Sequence, residues 1–148
     1  MGIEIERKFL VDKQCWEQVD KNKGEKIVQG YLSKSPEKTI RIRTKGEKGY
    51  LTIKGKTEGI SRLEYEYEIP KHEAEDLIKT FCSAFIQKIR YEIIYEGLLW
   101  EIDEFQSPKS GLILAEVELK NEQENVKLPS WVMKEVSDDP AYFNANML

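Results

Sequence analysis

Apolar and polar residues alternate with period two along most of the chain, which predicts a succession of β-strands. In the first segment Ile3, Ile5 and Phe9 share one face, while Glu4, Glu6 and Lys8 share the other. A short amphipathic stretch from Asp12 to Val19 follows, with Asp12 placed as its N-cap and Trp16 and Val19 on one side. Strands are then predicted at 26–33, 38–44, 50–56 and 62–69. Arg41 and Arg43 oppose Ile40 and Ile42, Thr52 and Lys54 oppose Leu51 and Ile53, and Arg62, Glu64, Glu66 and Glu68 oppose Tyr65, Tyr67 and Ile69. After Pro70 the period lengthens. Ala74, Leu77, Ile78 and Phe81 recur at helical spacing and predict a helix from Lys71 to about Cys82. Strands resume at 85–95, 98–105 and 112–120, and Trp131 to Val136 reads as helical after Pro129. This amounts to about eight strands, mostly in hairpins, with two or three helices. No repeat or linker divides 1–148 into more than one domain.

The polar faces are almost purely ionic, strand after strand. An open antiparallel sheet that leaves such faces in water is the common design. Here the signs segregate, basic pairs on some strands and acidic pairs on others, and the strand number suits a ring without edges. The expected fold is therefore α+β, mainly β: a closed eight-stranded antiparallel barrel with charged side chains inside and a few helices packed outside.

Composition narrows the function. Hydrophobic residues make up 40% and charged residues 34% of 148 residues, as in a folded domain. The net charge of −4 disfavours nucleic acid and anionic membrane as partners. No apolar run is long enough to span a bilayer, and the opening Met-Gly-Ile-Glu is unlike a signal peptide. Cys15 and Cys82 lack metal-ligand spacing and read as reduced thiols, so a cytoplasmic location is expected.

An enclosed set of like charges is costly unless it binds its opposite. Lys8, Arg41, Arg43, Lys54, Lys88 and Arg90 call for a polyanion, and arginine pairs suit phosphate. Arg62, at a strand start, belongs either with them or outside the ring. Glu4, Glu6, Glu116 and Glu118, with Glu101 and Asp103 as further candidates, have no His or Cys companions. Oxygen-only ligation suits Mg²⁺ or Mn²⁺. A polyanion with a hard cation means phosphate-chain chemistry.

The ordered motifs Ile3-Glu4-Ile5-Glu6-Arg7-Lys8-Phe9, Gln29-Gly30-Tyr31-Leu32, Arg41-Ile42-Arg43, Leu51-Thr52-Ile53-Lys54-Gly55, Lys88-Ile89-Arg90-Tyr91 and Ala115-Glu116-Val117-Glu118-Leu119 resemble the CYTH superfamily, the triphosphate tunnel metalloenzymes. The resemblance spans essentially the whole chain. It implies a tunnel in which Glu4, Glu6, Glu116 and Glu118 hold the metal while Lys8, Arg41, Arg43, Lys54, Lys88 and Arg90 grip the phosphates. The implied activity is metal-dependent triphosphate hydrolysis, with inorganic tripolyphosphate preferred. ATP and other nucleoside triphosphates are further implied substrates, and thiamine triphosphate hydrolysis and ATP cyclisation to cAMP are the alternatives within the family. Either Lys8 or Lys88 would orient water beside the catalytic Glu4 and Glu6. The C-terminal segment in this family can close one end of the tunnel, and the ending here, Asp139-Pro140-Ala141-Tyr142-Phe143-Asn144, departs somewhat from the usual basic-Tyr form.

Glu64, Glu66 and Glu68 are expected to neutralise basic neighbours rather than touch metal. His72 and Lys56 are expected in solvent. Trp100, Tyr65, Tyr67 and Tyr91 are expected between barrel and helices; if helices leave that surface uncovered, it favours a homodimer.

Overall fold

A computed structural model describes residues 2–148. In chain order the elements are β1 (Ile3–Val11), α1 (Lys13–Glu17), β2 (Glu25–Ser35), β3 (Lys38–Lys45), β4 (Lys48–Lys54), β5 (Ser61–Ile69), α2 (Lys71–Phe81), β6 (Phe85–Tyr95), β7 (Leu98–Ser107), β8 (Ile113–Glu118) and β9 (Val132–Glu135). Neighbours in the sheet run β5-β4-β3-β2-β6-β7-β8-β1. The first strand closes the ring. Its start, Ile3–Ile5, pairs with Leu63–Ser61 of β5, and its continuation, Glu6–Leu10, pairs with Glu118–Leu114 of β8. All these ladders are antiparallel, and eight strands enclose a space that side chains can largely fill.

Alternation decides what faces each way. Outside, Phe9, Trp16, Trp100 and Trp131 form an aromatic cluster with ring centroids 5.2–5.8 Å apart. It is anchored where Trp16 Nε1 donates to Glu104 at 2.7 Å. Asp12 caps α1 as expected, accepting from the Cys15 amide. Helix α2 lays Ala74 and Ile78 over Ile42, beside Val28 and Leu51. It approaches the sheet closely because Gly49 has no side chain: a Cβ there would lie 2.8 Å from Ala74 Cβ and 3.0 Å from the Ile69 carbonyl. Gly49→Ala is therefore expected to cost about 1–3 kcal/mol through overpacking, read as a lower urea midpoint with an unchanged slope.

Two expectations are corrected. Residues Val132–Glu135 are not helical but form β9, which pairs with β1 as Phe9↔Glu135 and Val11↔Val132. Burial of Trp131 in the aromatic cluster and donation from the Val136 amide to the Lys8 carbonyl hold the segment extended. Tyr65 and Tyr67 do not lie under helices; they are 50% and 54% exposed, because α2 covers only the neighbouring part of the outer surface. Trp100 is buried and Tyr91 partly so, as expected.

After β9 come two 3-10 turns, Pro140–Tyr142 and Asn144–Met147. Val136 and Met147 pack against Ile86, Phe105 and Leu114, with Leu10 and Tyr31 alongside. Ile86, Phe105, Leu114 and Leu10 keep the strand parity of Lys88, Asp103, Glu116 and Lys8, so this cluster floors one end of the ring. Among the described residues no helix is long and apolar enough to cross a membrane.

Candidate functional site

Inward side chains enclose a cavity of about 550 Å³. Glu4, Glu6, Lys8, Arg41, Arg43, Lys54, Lys88, Arg90, Glu116 and Glu118 all line it, as does Glu101, whereas Asp103, the other acidic candidate, is not among the lining residues. Arg62 lines it as well, which places it inside; it donates to the Gly55 carbonyl at 2.8–3.0 Å and to Thr39 Oγ1 at 3.3 Å. Lys56 is exposed but reaches the lining, and His72 is exposed away from it. The thiols of Cys15 and Cys82 are free.

The lumen has distinct electrostatic zones. Across β4 and β5, Lys54 Nζ meets Glu4 at 3.0 Å and Glu64 at 3.2 Å, and Arg41 meets Glu66 at 3.3 Å and Thr52 at 3.1 Å. Glu64 and Glu66 thus steady basic neighbours as expected, whereas Glu68 reaches only Lys48, at 3.9 Å near the surface. Burial opposes ionisation of Glu4, yet Lys54 prevails and holds its carboxyl below the usual range.

Across β6 and β7, Asp103 takes Arg90 Nε and Nη2 at 2.7 and 2.8 Å and Lys88 Nζ at 2.8 Å. Lys88 and Asp103 are each 1% exposed. Burial disfavours the Asp103 carboxylate, but Arg90 and Lys88 outweigh it and keep the group ionised far below its ordinary range. Asp103, a candidate for the metal group from sequence, is therefore enclosed by cations instead, and Glu101 likewise turns to Arg90 at 3.3 Å. Burial, aided by Arg90 and Arg43 and opposed by Asp103, pushes the Lys88 ammonium down to about 7.

Arg43, like Lys8 and Arg62, is a lumen cation that pairs with no carboxylate among the described residues. Among them it donates only to Gln29 Oε1, at 3.1 and 3.2 Å. Burial, with Arg41 and Arg90 nearby, pushes its guanidinium down to about 9. An arginine so placed is stabilised by an incoming anion.

The acidic zone lies across β1 and β8, where Glu6 stands opposite Glu118 and Lys8 opposite Glu116. Burial, then Glu116 and Glu4, raise the Glu6 carboxyl well above its normal range. Burial opposes ionisation of Glu116, but Lys8 and Arg90 outweigh it and lower its carboxyl. Carboxylates crowded until one resists ionisation fit, in kind, a hard divalent cation. Among the described residues no three acidic groups already converge at ligand spacing, because Glu4 is drawn towards Lys54.

Sequence reasoning passed over Gln29, Thr52 and Asn144, which are neutral and hydrogen-bonded to the lumen's cations. For Gln29 and Thr52 the signal was strand parity: Gln29 lies two residues before Tyr31, and Thr52 two before Lys54.

A ring that surrounds buried cations, with clustered carboxylates on one wall, defines a charged-tunnel protein. The chain belongs to the CYTH family, whose domain model matches residues 2–143. An inorganic triphosphatase of Acetivibrio thermocellus is 44% identical over 149 aligned positions, covering 100% of this chain and 94% of the relative. Another, from Nitrosomonas europaea, is 34% identical over 95% of this chain and 93% of its own length. A crystal structure of an inorganic triphosphatase superposes with a TM-score of 0.66 at 32% identity, covering 97% of this chain and 92% of the other.

Proposed function

We propose that this protein is a metal-dependent inorganic triphosphatase that splits tripolyphosphate by adding water across a phosphoanhydride bond. The observation that carries the reading is the enclosed group of cations, with Arg43 balanced by no carboxylate among the described residues. Two relatives named as inorganic triphosphatases, similar over nearly their full length, support it.

In this reading Arg41, Arg43, Lys54, Arg90, Lys8 and Lys88 take the phosphate oxygens, neutralising the chain before reaction and holding it for in-line attack. Glu4, Glu6, Glu116 and Glu118 hold Mg²⁺ or Mn²⁺, which when bound polarises phosphoryl oxygens and acidifies water. Glu4, paired with Lys54 here, would be free to hold the metal where substrate drew that lysine away. Of the two candidate lysines, Lys88 is better suited to receive a proton from water, because its ammonium is held near neutrality. Only the neutral amine accepts, so kcat/KM, which reports the free enzyme, is expected to rise with pH through about 7. A pH–rate profile of Lys88→Met that kept this limb would remove Lys88 from the role.

The unpaired thiols suit the cytoplasm. The uncovered outer face around Tyr65 and Tyr67 suits a second copy of the chain, which light scattering would detect. The activity itself is tested by phosphate release from tripolyphosphate, ATP, GTP and thiamine triphosphate, each with Mg²⁺ or Mn²⁺ and with chelator. Fastest metal-dependent release from tripolyphosphate is expected. Conversion of ATP with Mn²⁺ into cAMP and pyrophosphate would make the protein a cyclase instead.

A further inference from the structure

The segment after β9 does more than cover the floor of the ring. Asn144 opens the second 3-10 turn and lines the cavity. Its Oδ1 accepts from Lys88 Nζ at 2.8 Å and from Gln29 Nε2 at 3.2 Å. Gln29 in turn presents its own Oε1 to Arg43. One carboxamide thereby orients Lys88 directly and Arg43 through a single intermediary. Two residues earlier, the Tyr142 carbonyl accepts from Lys8 Nζ at 3.0 Å. Three of the lumen's cations are thus referred to this short segment, although none of its own residues that touch them is charged.

Asn144 also has capacity left over. Its side-chain nitrogen carries two hydrogens and donates to no partner among the described residues, while its oxygen is already used twice. The apolar side chains of Ile86, Phe105, Leu114, Val136 and Met147, which floor this end of the ring, offer no acceptor. The acceptor that fits a neutral donor at the blind end of a cation-lined cavity is a phosphoryl oxygen.

We propose that Asn144 reads the innermost phosphoryl group of the substrate. Its Nδ2 donates to that group while its Oδ1 holds Lys88 and Gln29, and the segment carrying it sets how many phosphates the tunnel admits. The inference rests on the triphosphatase reading and deepens it: the strands supply charge, and the C-terminal turn supplies the length limit.

The test uses the full chain as wild type, N144A, N144D and N144S, with phosphate release measured from pyrophosphate, tripolyphosphate and tetrapolyphosphate in Mg²⁺. A buried donor lost from a site built to hydrogen-bond its substrate is expected to raise KM for tripolyphosphate about tenfold in N144A. The space gained raises the kcat/KM ratio of tetrapolyphosphate to tripolyphosphate by roughly fivefold or more, on the same reasoning about pocket size. N144D keeps the acceptor for Lys88 but turns the donor into an anion, so it binds tripolyphosphate worst and moves the kcat/KM limb near pH 7 upward. N144S keeps a small donor and recovers part of the KM loss. If N144A does not fold, N144D against N144S carries the comparison.

A segment that only props the ring would lower the melting temperature and reduce turnover of all three substrates alike. That pattern, or KM and chain-length ratio unchanged in the folded variants, overturns the proposal. A wild-type protein that releases nothing from tripolyphosphate with either metal sinks the triphosphatase reading itself, and this inference with it.

Discussion

Glu6→Ala lowers metal-stimulated tripolyphosphate hydrolysis by on the order of 10²-fold or more, comparable to losing one donor from an oxyanion site, while making the metal-free protein more stable. The two effects have one origin. Burial and the neighbouring Glu116 and Glu4 raise the Glu6 carboxyl well above its normal range, so ionising it costs the folded state. A carboxyl raised on folding binds more protons in the native state, so its contribution to stability is full below the ordinary carboxylate range and is lost as pH rises from that range up through the raised folded value. Removing the group removes that penalty, as expected where activity needs crowded charge. Initial rates at saturating Mg²⁺ and thermal melts in chelator at neutral pH check both halves. Wild-type turnover by the variant would detach Glu6 from the metal role, and a lower melting temperature would mean that its buried charge carries no such cost. Glu6→Gln separates charge from volume, since it keeps the shape and loses the anion.

Alternation made the ring's two faces legible. Glu4, Glu6 and Lys8 on β1, Arg41 and Arg43 on β3, and Lys88 and Arg90 on β6 line the cavity as their spacing implies. Closure is a different kind of fact, because an open sheet with a wet charged face carries the same period. It depends on β1 switching partners from β5 to β8 midway, which no local pattern encodes. Segregated signs and the family motifs supplied what periodicity lacked. Strand β9 was missed for a related reason: four residues with a mixed pattern are extended because β1, more than a hundred positions earlier, pairs with them. Asp103 shares the parity of Glu101 and Phe105, so its inward direction was readable. Its engagement with Arg90 and Lys88 rather than with Glu6 and Glu116 depends on cross-strand register. Asn144 left no periodic trace, since it reaches the lumen from a 3-10 turn.

Asp103→Leu is expected to be the most damaging single change to the fold. Arg90 places two nitrogens and Lys88 one on this carboxylate, all within 2.8 Å, at a position 1% exposed. Truncating one partner of a buried ionic network strands the others, at about 3–5 kcal/mol. For a chain of this size that corresponds to a melting temperature lower by roughly 10 °C. Lys88 can shed part of the penalty by deprotonating, since its ammonium is already held near 7, whereas Arg90 cannot. The pH dependence follows from Asp103. Its carboxyl is depressed in the folded state, so its stabilisation is present above the ordinary carboxylate range and is lost as pH falls through and below that range. The gap between wild type and variant should therefore be wide at neutral pH and narrow in acid. Tripolyphosphate discriminates further. An anion entering the lumen offers oxygens to the stranded cations, so it should raise the variant's melting temperature by more than it raises the wild type's. Equal ligand-induced shifts in the two proteins would mean that Arg90 and Lys88 do not meet the phosphate chain, and the assignment of that wall to substrate would fall.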